Sequence, residues 1–396
     1  MSSKEKLLLL ILACVNFTHI VDFMMLMPLG PQLMKIFEID AQQFGLLVAS
    51  YGIAAAVSGF SLAFFADKFD RKKVLLFAYI GFTLGTFACA LSPSFAILIT
   101  ARLITGVFGG MIGSQVLSIV ADTFGYERRA SAMGIIMMAF SFASVVGVPG
   151  GLFLANLFGW HAPFFTVAGL GVIISALVWF FVPSVSAHLG EKSAGEKRLQ
   201  VLYDILKTPN QLRALGLSTV IMLGHFSIIP YIAPTLVSNA GFSEDDLYLI
   251  YLVGGLLTIF SAPIVGKIAD RKGKYPVFVV FAILSMIPIF LITNLIPTPL
   301  YVVLIISGMF FVFSNGRLIP TQAMVSGVVT PKQRGGFMAI NSSVQLMAQA
   351  IASSIGGAML IQRENGYLDH YDWVGYYAML MIFISIFVAR KVKNIE

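Results

Sequence analysis

The chain has 396 residues, of which 58% are hydrophobic and only 11% are charged, with a mean hydropathy of +0.88. A soluble domain carries about 25% charged residues, so this composition excludes a water-soluble fold and indicates a membrane protein. The net charge of +7 does not indicate nucleic-acid binding, because the basic residues fall in short stretches between apolar segments.

The N-terminal segment needs to be distinguished from a cleaved signal. Lys4 and Lys6 precede an apolar run that contains Cys14, as in a secretory or lipoprotein signal peptide. The run continues beyond Cys14 to Met27, and further apolar segments follow. We therefore predict a retained first helix. The other cysteine, Cys89, also lies in an apolar run, so no disulfide framework is indicated.

Apolar segments of spanning length predict an all-α membrane protein with twelve transmembrane helices, since a spanning helix needs roughly 20 apolar residues. The segments cover residues 7–30, 44–66, 74–91, 95–120, 130–157, 162–182, 210–238, 247–269, 276–296, 300–327, 335–362 and 371–390. We predict an N-terminal six-helix bundle over 1–182 and a C-terminal six-helix bundle over 210–396. The polar stretch 183–209 between them is expected to be a cytoplasmic linker, with a short surface helix at Glu196 to Lys207.

The distribution of basic residues predicts the orientation. Of the 26 lysines and arginines, 22 fall on the side of the N-terminus. The opposite side holds only Lys35 and Arg363, and Arg102 and Arg317 fall inside predicted spans. Because cytoplasmic loops are enriched in lysine and arginine, we expect both termini in the cytoplasm and the protein in the bacterial inner (plasma) membrane.

The two halves repeat. Residues 66–74 (ADKFDRKKV) and 269–277 (ADRKGKYPV) match at an offset of 203, and Pro31 aligns with Pro234 at the same offset. Residues 127–134 (ERRASAMG) match 332–339 (KQRGGFMA) at an offset of 205. A parallel repeat of this kind predicts two pseudo-symmetric bundles with a substrate site between them near the middle of the membrane.

The loop after the second span carries a charged motif. It reads AFFADKFDRKK over residues 63–73, and the second-half copy keeps Gly266, Asp270, Arg271 and Gly273. An acid at a helix end can cap the N-terminus of another helix and pair with a nearby arginine. We predict a conformational latch formed by Asp67, Arg71, Asp270 and Arg271. The alternative is plain cytoplasmic anchoring charge.

Spans 4 and 5 carry glycine-rich motifs. In span 4, Arg102 is followed by Gly106, Gly109, Gly110 and Gly113. A buried arginine is costly unless it faces a partner or water, so Arg102 is a functional candidate, or else a structural arginine that bonds backbone carbonyls. Span 5 contains a proline among glycines, which predicts a kink and close packing of this helix on its neighbour. The residues are Gly147, Pro149, Gly150 and Gly151.

Over its whole length the chain resembles the major facilitator superfamily, and specifically its twelve-span drug:proton antiporter branch and the related sugar- and nucleoside-efflux permeases. The resemblance implies a carrier fold, links Arg102 to proton transfer and ties the span-5 glycines to export. The chain departs from the family pattern at Ala63, Asp70 and Ala143, where the family has glycines, and at His161, where it has arginine.

Asp22 is the one carboxylate predicted in the interior of a span, since the other acids fall in loops, tails or helix ends. It shares a helical face with His19 and Asn16, and an acid inside the membrane is costly. Such a group can take up a proton from one side and release it to the other, so we expect Asp22 to face a water-accessible gap between the bundles. At the offset of 203 it aligns with His225. We predict a proton-coupling group of Asp22, Arg102, His19 and His225, with a satisfied interhelical hydrogen bond as the alternative for His225.

Polar residues in other spans predict a substrate cavity. Arg317 could neutralise Asp22 or bind an anionic group of the substrate. Span 11 carries a polar stripe at four-residue intervals, which could line a cavity or join helices. The predicted cavity residues are Asn16, Gln115, Asn315, Arg317, Asn341 and Gln345.

The sequence indicates transport without a cofactor. It has no nucleotide-binding GxxxxGK[ST] pattern, no metal-ligand cluster and no soluble domain that could carry catalysis. We therefore predict a monomeric secondary transporter, not an enzyme, that exports a small organic solute in exchange for protons within the lipid bilayer. A proton symporter or uniporter that imports a solute is one alternative. A sensor or lipid-handling protein of the same fold is another.

Overall fold

The computed structural model describes residues 2–65, 69–124, 126–186, 203, 205, 207–330 and 334–394. Helices dominate the described chain. They are α1 (Ser3–Met25), α2 (Gly30–Ile36), α3 (Ala41–Phe65), α4 (Arg71–Ala90), α5 (Phe95–Thr123), α6 (Tyr126–Phe142), α7 (Val148–Phe158), α8 (His161–Phe181), α9 (Pro209–Phe226), α10 (Ile229–Ser238), α11 (Leu247–Lys272), α12 (Lys274–Thr293), α13 (Leu300–Ser326), α14 (Arg334–Met359) and α15 (Tyr371–Arg390). A short antiparallel pair, β1 (Ile361–Gln362) and β2 (Leu368–Asp369), separates the last two helices.

The helices correspond to the twelve predicted spans. Within the described residues, eleven helical stretches are long and apolar enough to cross a membrane. The remaining span is α14, whose 26 residues suffice in length but whose polar stripe lowers its hydropathy. Two spans each comprise two helices: α6 and α7 form one, and α9 and α10 form another.

The chain divides into two compact units. The first unit comprises Met1–Leu26 and Ser50–Leu199, and the second comprises Met27–Ala49 and Gln200–Glu396. The bundle boundaries expected at residues 182 and 210 stay a prediction. Most of the linker between them, including most of the surface helix expected at Glu196 to Lys207, lies outside the described residues.

In the first unit, apolar faces of α1, α4, α5, α6 and α8 enclose one core, which includes Leu12, Tyr79 and Val116. Small residues allow helices in a membrane protein to approach closely. Gly106 on α5 shows this, because a Cβ there would lie 2.5 Å from the backbone oxygen of Tyr51 on α3. The close contact of α3 with α5 therefore requires glycine at this position.

In the second unit, the segment Met27–Ala49 packs around Tyr231 on α10. The Tyr231 hydroxyl donates a hydrogen bond of 2.6 Å to the backbone carbonyl of Ser353 on α14. A Cβ on Gly357 would lie 2.5 Å from that hydroxyl, and one on Gly45 would collide with it. The two glycines thus leave the space that the tyrosine side chain occupies.

The fifth span contains a π-helical segment, Ala143–Gly147, between α6 and α7. Pro149 follows at the start of α7 and has no N–H to donate to the preceding turn. Gly147 packs against the side chain of Val21 on α1, and a Cβ there would collide with it. Gly151 is in ordinary contact range of α1 and α8, whereas a Cβ on Gly150 would meet nothing within 4 Å. Such π-helical segments occur frequently at functional sites. The role in export expected for these glycines stays a prediction.

Candidate functional site: a buried ion pair and a buried arginine

Asp22 forms a closed ion pair with Arg102. Nη1 of Arg102 on α5 lies 2.7 Å from Oδ2 of Asp22 on α1. The hydroxyl of Thr86 on α4 donates to the other carboxylate oxygen at 3.0 Å. Asp22, Thr86 and Arg102 are each 0% exposed. Three helices of the first unit therefore enclose one carboxylate and its counter-ion.

Tyr51 on α3 completes the surroundings of Arg102. The centre of its ring lies 4.5 Å from Cζ of Arg102, which is within the range of a cation–π contact. Its hydroxyl lies 2.8 Å from Nε2 of His19 on α1. Tyr51 thus connects His19 with the buried pair, although in the described structure His19 forms no hydrogen bond with Asp22 itself.

The pair can act as a charge switch. Taking two charges out of water is costly, and removing one partner of a buried pair costs about 3–5 kcal/mol because the other charge stays uncompensated. Protonation of Asp22 would remove its attraction for Arg102 while the Tyr51 ring still contacts the guanidinium. Gain or loss of one proton therefore changes which helix–helix interactions are favourable around α1, α4 and α5.

The geometry corrects several sequence expectations. Asp22 does not face open water, because its carboxylate is enclosed. Its counter-ion is Arg102 and not Arg317, and Arg102 donates to a carboxylate rather than only to backbone carbonyls. Asn16, expected on the same face, donates to the backbone carbonyl of Ile136 at 3.3 Å, so it contributes to helix packing.

The second unit contains a comparable but uncompensated arginine. Arg317 on α13 is 0% exposed. Its Nη1 donates to the hydroxyl of Ser285 on α12 at 3.0 Å, and its Nη2 lies 3.1 Å from Nδ1 of His225 on α9. The interhelical hydrogen bond considered for His225 is therefore present. His225 bonds Arg317 within the second unit, as Asp22 bonds Arg102 within the first.

The other predicted cavity residues differ in their surroundings. Gln115 is 1% exposed, and its Oε1 has no hydrogen-bond partner in the described part of the chain. Asn341 is 0% exposed, and neither of its side-chain polar atoms has a partner there. Asn315 donates to the backbone carbonyl of Phe311 at 3.0 Å, and Gln345 is partly exposed. Unpartnered buried polar atoms are costly, so Gln115 and Asn341 are the members of this set that best fit a ligand or water.

The predicted latch is only partly described. Asp67 lies outside the described residues. Arg71 pairs with Asp122 at 3.2 Å, joining the start of α4 to the end of α5. Asp270 and Arg271 are exposed near the end of α11. Asp70 caps α4, since its side chain accepts from the Lys73 amide at 3.2 Å. The latch function stays a prediction.

Three residues of these sites did not emerge from the sequence. Thr86 and Ser285 are hydroxyl residues in spans, where such side chains commonly bond a carbonyl of their own helix. Tyr51 is one of 13 tyrosines. The one available signal was that a buried arginine needs partners, but sequence spacing does not identify them.

Twelve spanning helices with an enclosed carboxylate–arginine pair define a polytopic membrane protein built for solute movement. A model of the Major Facilitator Superfamily matches residues 12–321. The chain belongs to this superfamily, and it is a transporter rather than an enzyme, which confirms the fold and the class predicted from the sequence.

Curated relatives are distant but cover much of the chain. The uncharacterized MFS-type transporter YbcL of Bacillus subtilis (strain 168) is 25% identical over 377 residues, covering 95% of this chain and 93% of that protein. A probable sugar efflux transporter of Helicobacter pylori (strain ATCC 700392 / 26695) is 25% identical over 253 residues, covering 64% of this chain and 63% of that protein.

Solved structures confirm the fold. The D-xylose-proton symporter superposes with a TM-score of 0.81 at 16% identity, covering 99% of both chains. A bacterial homolog of the human lysosomal transporter Spinster, in an inward-facing and unoccupied conformation, gives a TM-score of 0.80 at 16% identity, covering 99% of this chain and 98% of the other. At such identities the likeness extends to the fold alone.

Proposed function

We propose that this transporter couples export of a small organic solute to proton entry, with Asp22 as the proton-carrying group and Arg102 as its counter-ion. The observation that carries the proposal is the enclosed pair, with 2.7 Å between Nη1 and Oδ2. A carboxylate inside the membrane is expensive and marks ion pathways. The sugar-efflux relative supports a polyhydroxylated or similar small solute.

The coupling step follows from the charges. A proton that reaches Asp22 produces a neutral carboxylic acid and leaves Arg102 without a counter-ion. In the ion-paired state, the Tyr51 ring contacts the guanidinium and the Thr86 hydroxyl donates to the carboxylate. Rearrangement of the surrounding helices then exposes Asp22 to the opposite side. Loss of the proton restores the ion pair and returns the carrier to its starting state. Solute and proton therefore move through alternating states of one protein.

The cellular setting belongs to the same proposal. The excess of lysine and arginine on one side supports cytoplasmic termini in a bacterial inner membrane. The chain has its own repeat of two six-helix halves, which supports a functional monomer with the lipid bilayer as its surroundings. The solute and protons are the remaining partners.

The test uses purified protein in lipid vesicles that contain a pH-sensitive dye. Sugars, nucleosides and anionic sugar derivatives such as gluconate and glucose 6-phosphate are added under an imposed pH gradient, and both internal pH and solute content are measured. Export by exchange predicts solute accumulation in vesicles with an acidic interior, because protons leave as solute enters. Accumulation driven by an alkaline interior would instead establish symport. Transport that neither changes internal pH nor responds to the gradient would refute proton coupling and favour a uniporter.

Asp22→Asn is the decisive variant, because it keeps the shape and polarity of the side chain but cannot exchange a proton. We expect it to lose gradient-driven accumulation and to remain folded, with a lower free energy of unfolding because Arg102 is left without its counter-ion. Asp245→Asn is the matched control, since Asp245 is an exposed acid in the short 3-10 helix Glu244–Asp246 just before α11, and it should transport like the wild type. An Asp22→Asn protein that accumulates solute normally would remove Asp22 from the mechanism.

A further inference from the structure

Arg317 carries a buried positive charge, and no carboxylate among the described residues pairs with it. Within the described residues, the arginines that pair with carboxylates are Arg71, Arg102, Arg128 and Arg363. Arg317 is not among them, although it is 0% exposed. An unpaired charge taken out of water is strongly unfavourable. Its presence in a spanning helix therefore calls for a reason beyond packing.

Both partners of Arg317 are neutral. A guanidinium can only donate hydrogen bonds, so Nδ1 of His225 must accept and cannot carry a proton. The His225 ring is therefore neutral, with its hydrogen on Nε2. Ser285 accepts from Arg317 and donates its own hydrogen to the backbone carbonyl of Ala282 at 2.8 Å. Neither partner supplies the negative charge that Arg317 lacks.

Arg317 and the residues around it have hydrogen-bond donors that remain available. Nε of Arg317 is buried and has no hydrogen-bond partner among the residues that the structure describes. The tautomer of His225 places a second N–H on Nε2. Ser314, one helical turn before Arg317 on the same face of α13, is 1% exposed and its hydroxyl is also unpartnered. Phe310 stacks on the His225 ring at 5.9 Å between centroids, which fixes the ring plane. The site thus offers donors held in place.

We infer that Arg317, His225 and Ser314 form a binding subsite for a small organic oxyanion, a carboxylate or a phosphate. The planar guanidinium matches two oxygens of such a group. The inference rests on the proposed function, since it specifies that the transported solute carries an anionic group. It also gives Arg317 the counter-ion that the protein itself does not provide.

Binding is measured by calorimetry on the purified full-length protein in detergent at low ionic strength. The probes are gluconate, glucose 6-phosphate and glucose, which share a polyhydroxylated body and differ in charge. We expect at least one anionic probe to bind about tenfold more tightly than glucose, and the two anions distinguish carboxylate from phosphate recognition. Equal binding of anions and glucose, or no binding of either anion, overturns the inference.

Variants separate this subsite from a general effect of positive charge. Arg317→Gln should remove the preference for anions, and Arg317→Lys should restore part of it, because lysine keeps the charge without the two-pronged geometry. Arg213→Gln removes an exposed charge from α9 of the same unit and should bind gluconate as the wild type does. An Arg317→Gln protein that keeps the anion preference contradicts the assignment.

A second measurement does not depend on the choice of probe. Arg317→Met removes an uncompensated buried charge and should raise the unfolding temperature of the unliganded protein. A lower unfolding temperature would show that Arg317 is structural and would overturn the inference. Because binding requires no gradient, equal binding of anions and glucose would refute this subsite without refuting proton coupling. Conversely, normal gradient-driven accumulation by Asp22→Asn would refute the proposed coupling and leave the binding result unchanged.

Discussion

The ring of Tyr51 lies against the guanidinium of Arg102, with 4.5 Å from the ring centroid to Cζ. The same tyrosine hydroxyl lies 2.8 Å from Nε2 of His19. One side chain therefore contacts the counter-ion of Asp22 through its face and a histidine of α1 through its edge. This arrangement allows the cation–π contact and the hydrogen bond to be tested separately.

Tyr51→Phe keeps the aromatic face and removes only the hydroxyl, so it should retain most of the coupled transport. Tyr51→Leu removes the face as well and should impair transport more strongly, since a desolvated cation–π contact contributes roughly 2 kcal/mol. Gradient-driven solute accumulation in vesicles measures the difference. Equal impairment in both variants would show that the hydroxyl, rather than the ring face, is the important group.

A double-mutant cycle should reveal the strength of the Asp22–Arg102 pair. Arg102→Gln leaves a buried carboxylate without its counter-ion and should lower the free energy of unfolding by about 3–5 kcal/mol. Adding Asp22→Asn should recover part of that loss, because the unpaired charge disappears. Denaturant unfolding in detergent, followed by tryptophan fluorescence, provides the measurement.

The exposed pair of Arg363 and Asp369 near the β-strands serves as the control for that cycle. The corresponding changes, Arg363→Gln and Asp369→Asn, should alter stability little, because solvent screens an exposed pair. If Arg102→Gln is equally mild, the enclosed pair does not contribute to the fold as argued.

Gly147 and Gly150 in the fifth span provide a matched pair of substitutions. Gly147→Ala would place a methyl group into the side chain of Val21, the neighbour of Asp22 in the chain, whereas Gly150→Ala meets nothing within 4 Å. Overpacking typically costs about 1–3 kcal/mol. We expect lower thermal stability and slower transport for Gly147→Ala only. Similar behaviour of the two variants would argue against close packing of α1 on the π-helical segment.

Asp70, at the N-terminal end of α4, should make stability depend on pH. Partial burial opposes its ionised form, but hydrogen bonds from the Ser184 hydroxyl and the Lys73 amide outweigh this effect and lower the pKa of Asp70. The folded protein then binds this proton less readily than the unfolded chain. The stabilisation is complete above the ordinary carboxyl pKa of about 3.9 and is lost as pH falls through the lowered folded value.

Ser184→Ala removes one of those hydrogen bonds and should reduce this contribution. The difference in unfolding temperature between variant and wild type should be largest near neutral pH and should shrink as the buffer approaches pH 3. Ser186→Ala, at an exposed position two residues further along, should show no such trend. A difference that is constant over the whole pH range would exclude Asp70 as its source.

The spans were predictable because their signal is local. Each needs only a stretch of apolar residues, and even α14 could be identified despite Asn341, Gln345 and Gln349, since its polar residues recur on one helical face. The division of one span into two helices was harder to predict from the sequence. The π-helical segment Ala143–Gly147 and the break between α9 and α10 depend on how backbone carbonyls find partners, which composition does not reveal.

The site residues could be predicted from the sequence where their side chains are energetically unfavourable inside a membrane. Asp22, Arg102 and Arg317 stand out because charges rarely enter hydrocarbon. Their partners do not stand out. Thr83 bonds the carbonyl of Tyr79 in its own helix at 2.8 Å, whereas Thr86, one turn later, bonds Asp22. Two similar threonines thus have different roles, and only the packing of α1 against α4 distinguishes them.

The inclusion of Met27–Ala49 in the second unit has a consequence for biosynthesis. The ribosome produces this segment first, but the surface around Tyr231 on which it packs emerges only after roughly two hundred further residues. Until then, Gly30, Phe44 and Gly45 lack their final neighbours, and the membrane-insertion machinery must shelter them or leave them facing lipid. The second unit therefore cannot form until residues 200–396 have followed Met27–Ala49 out of the ribosome.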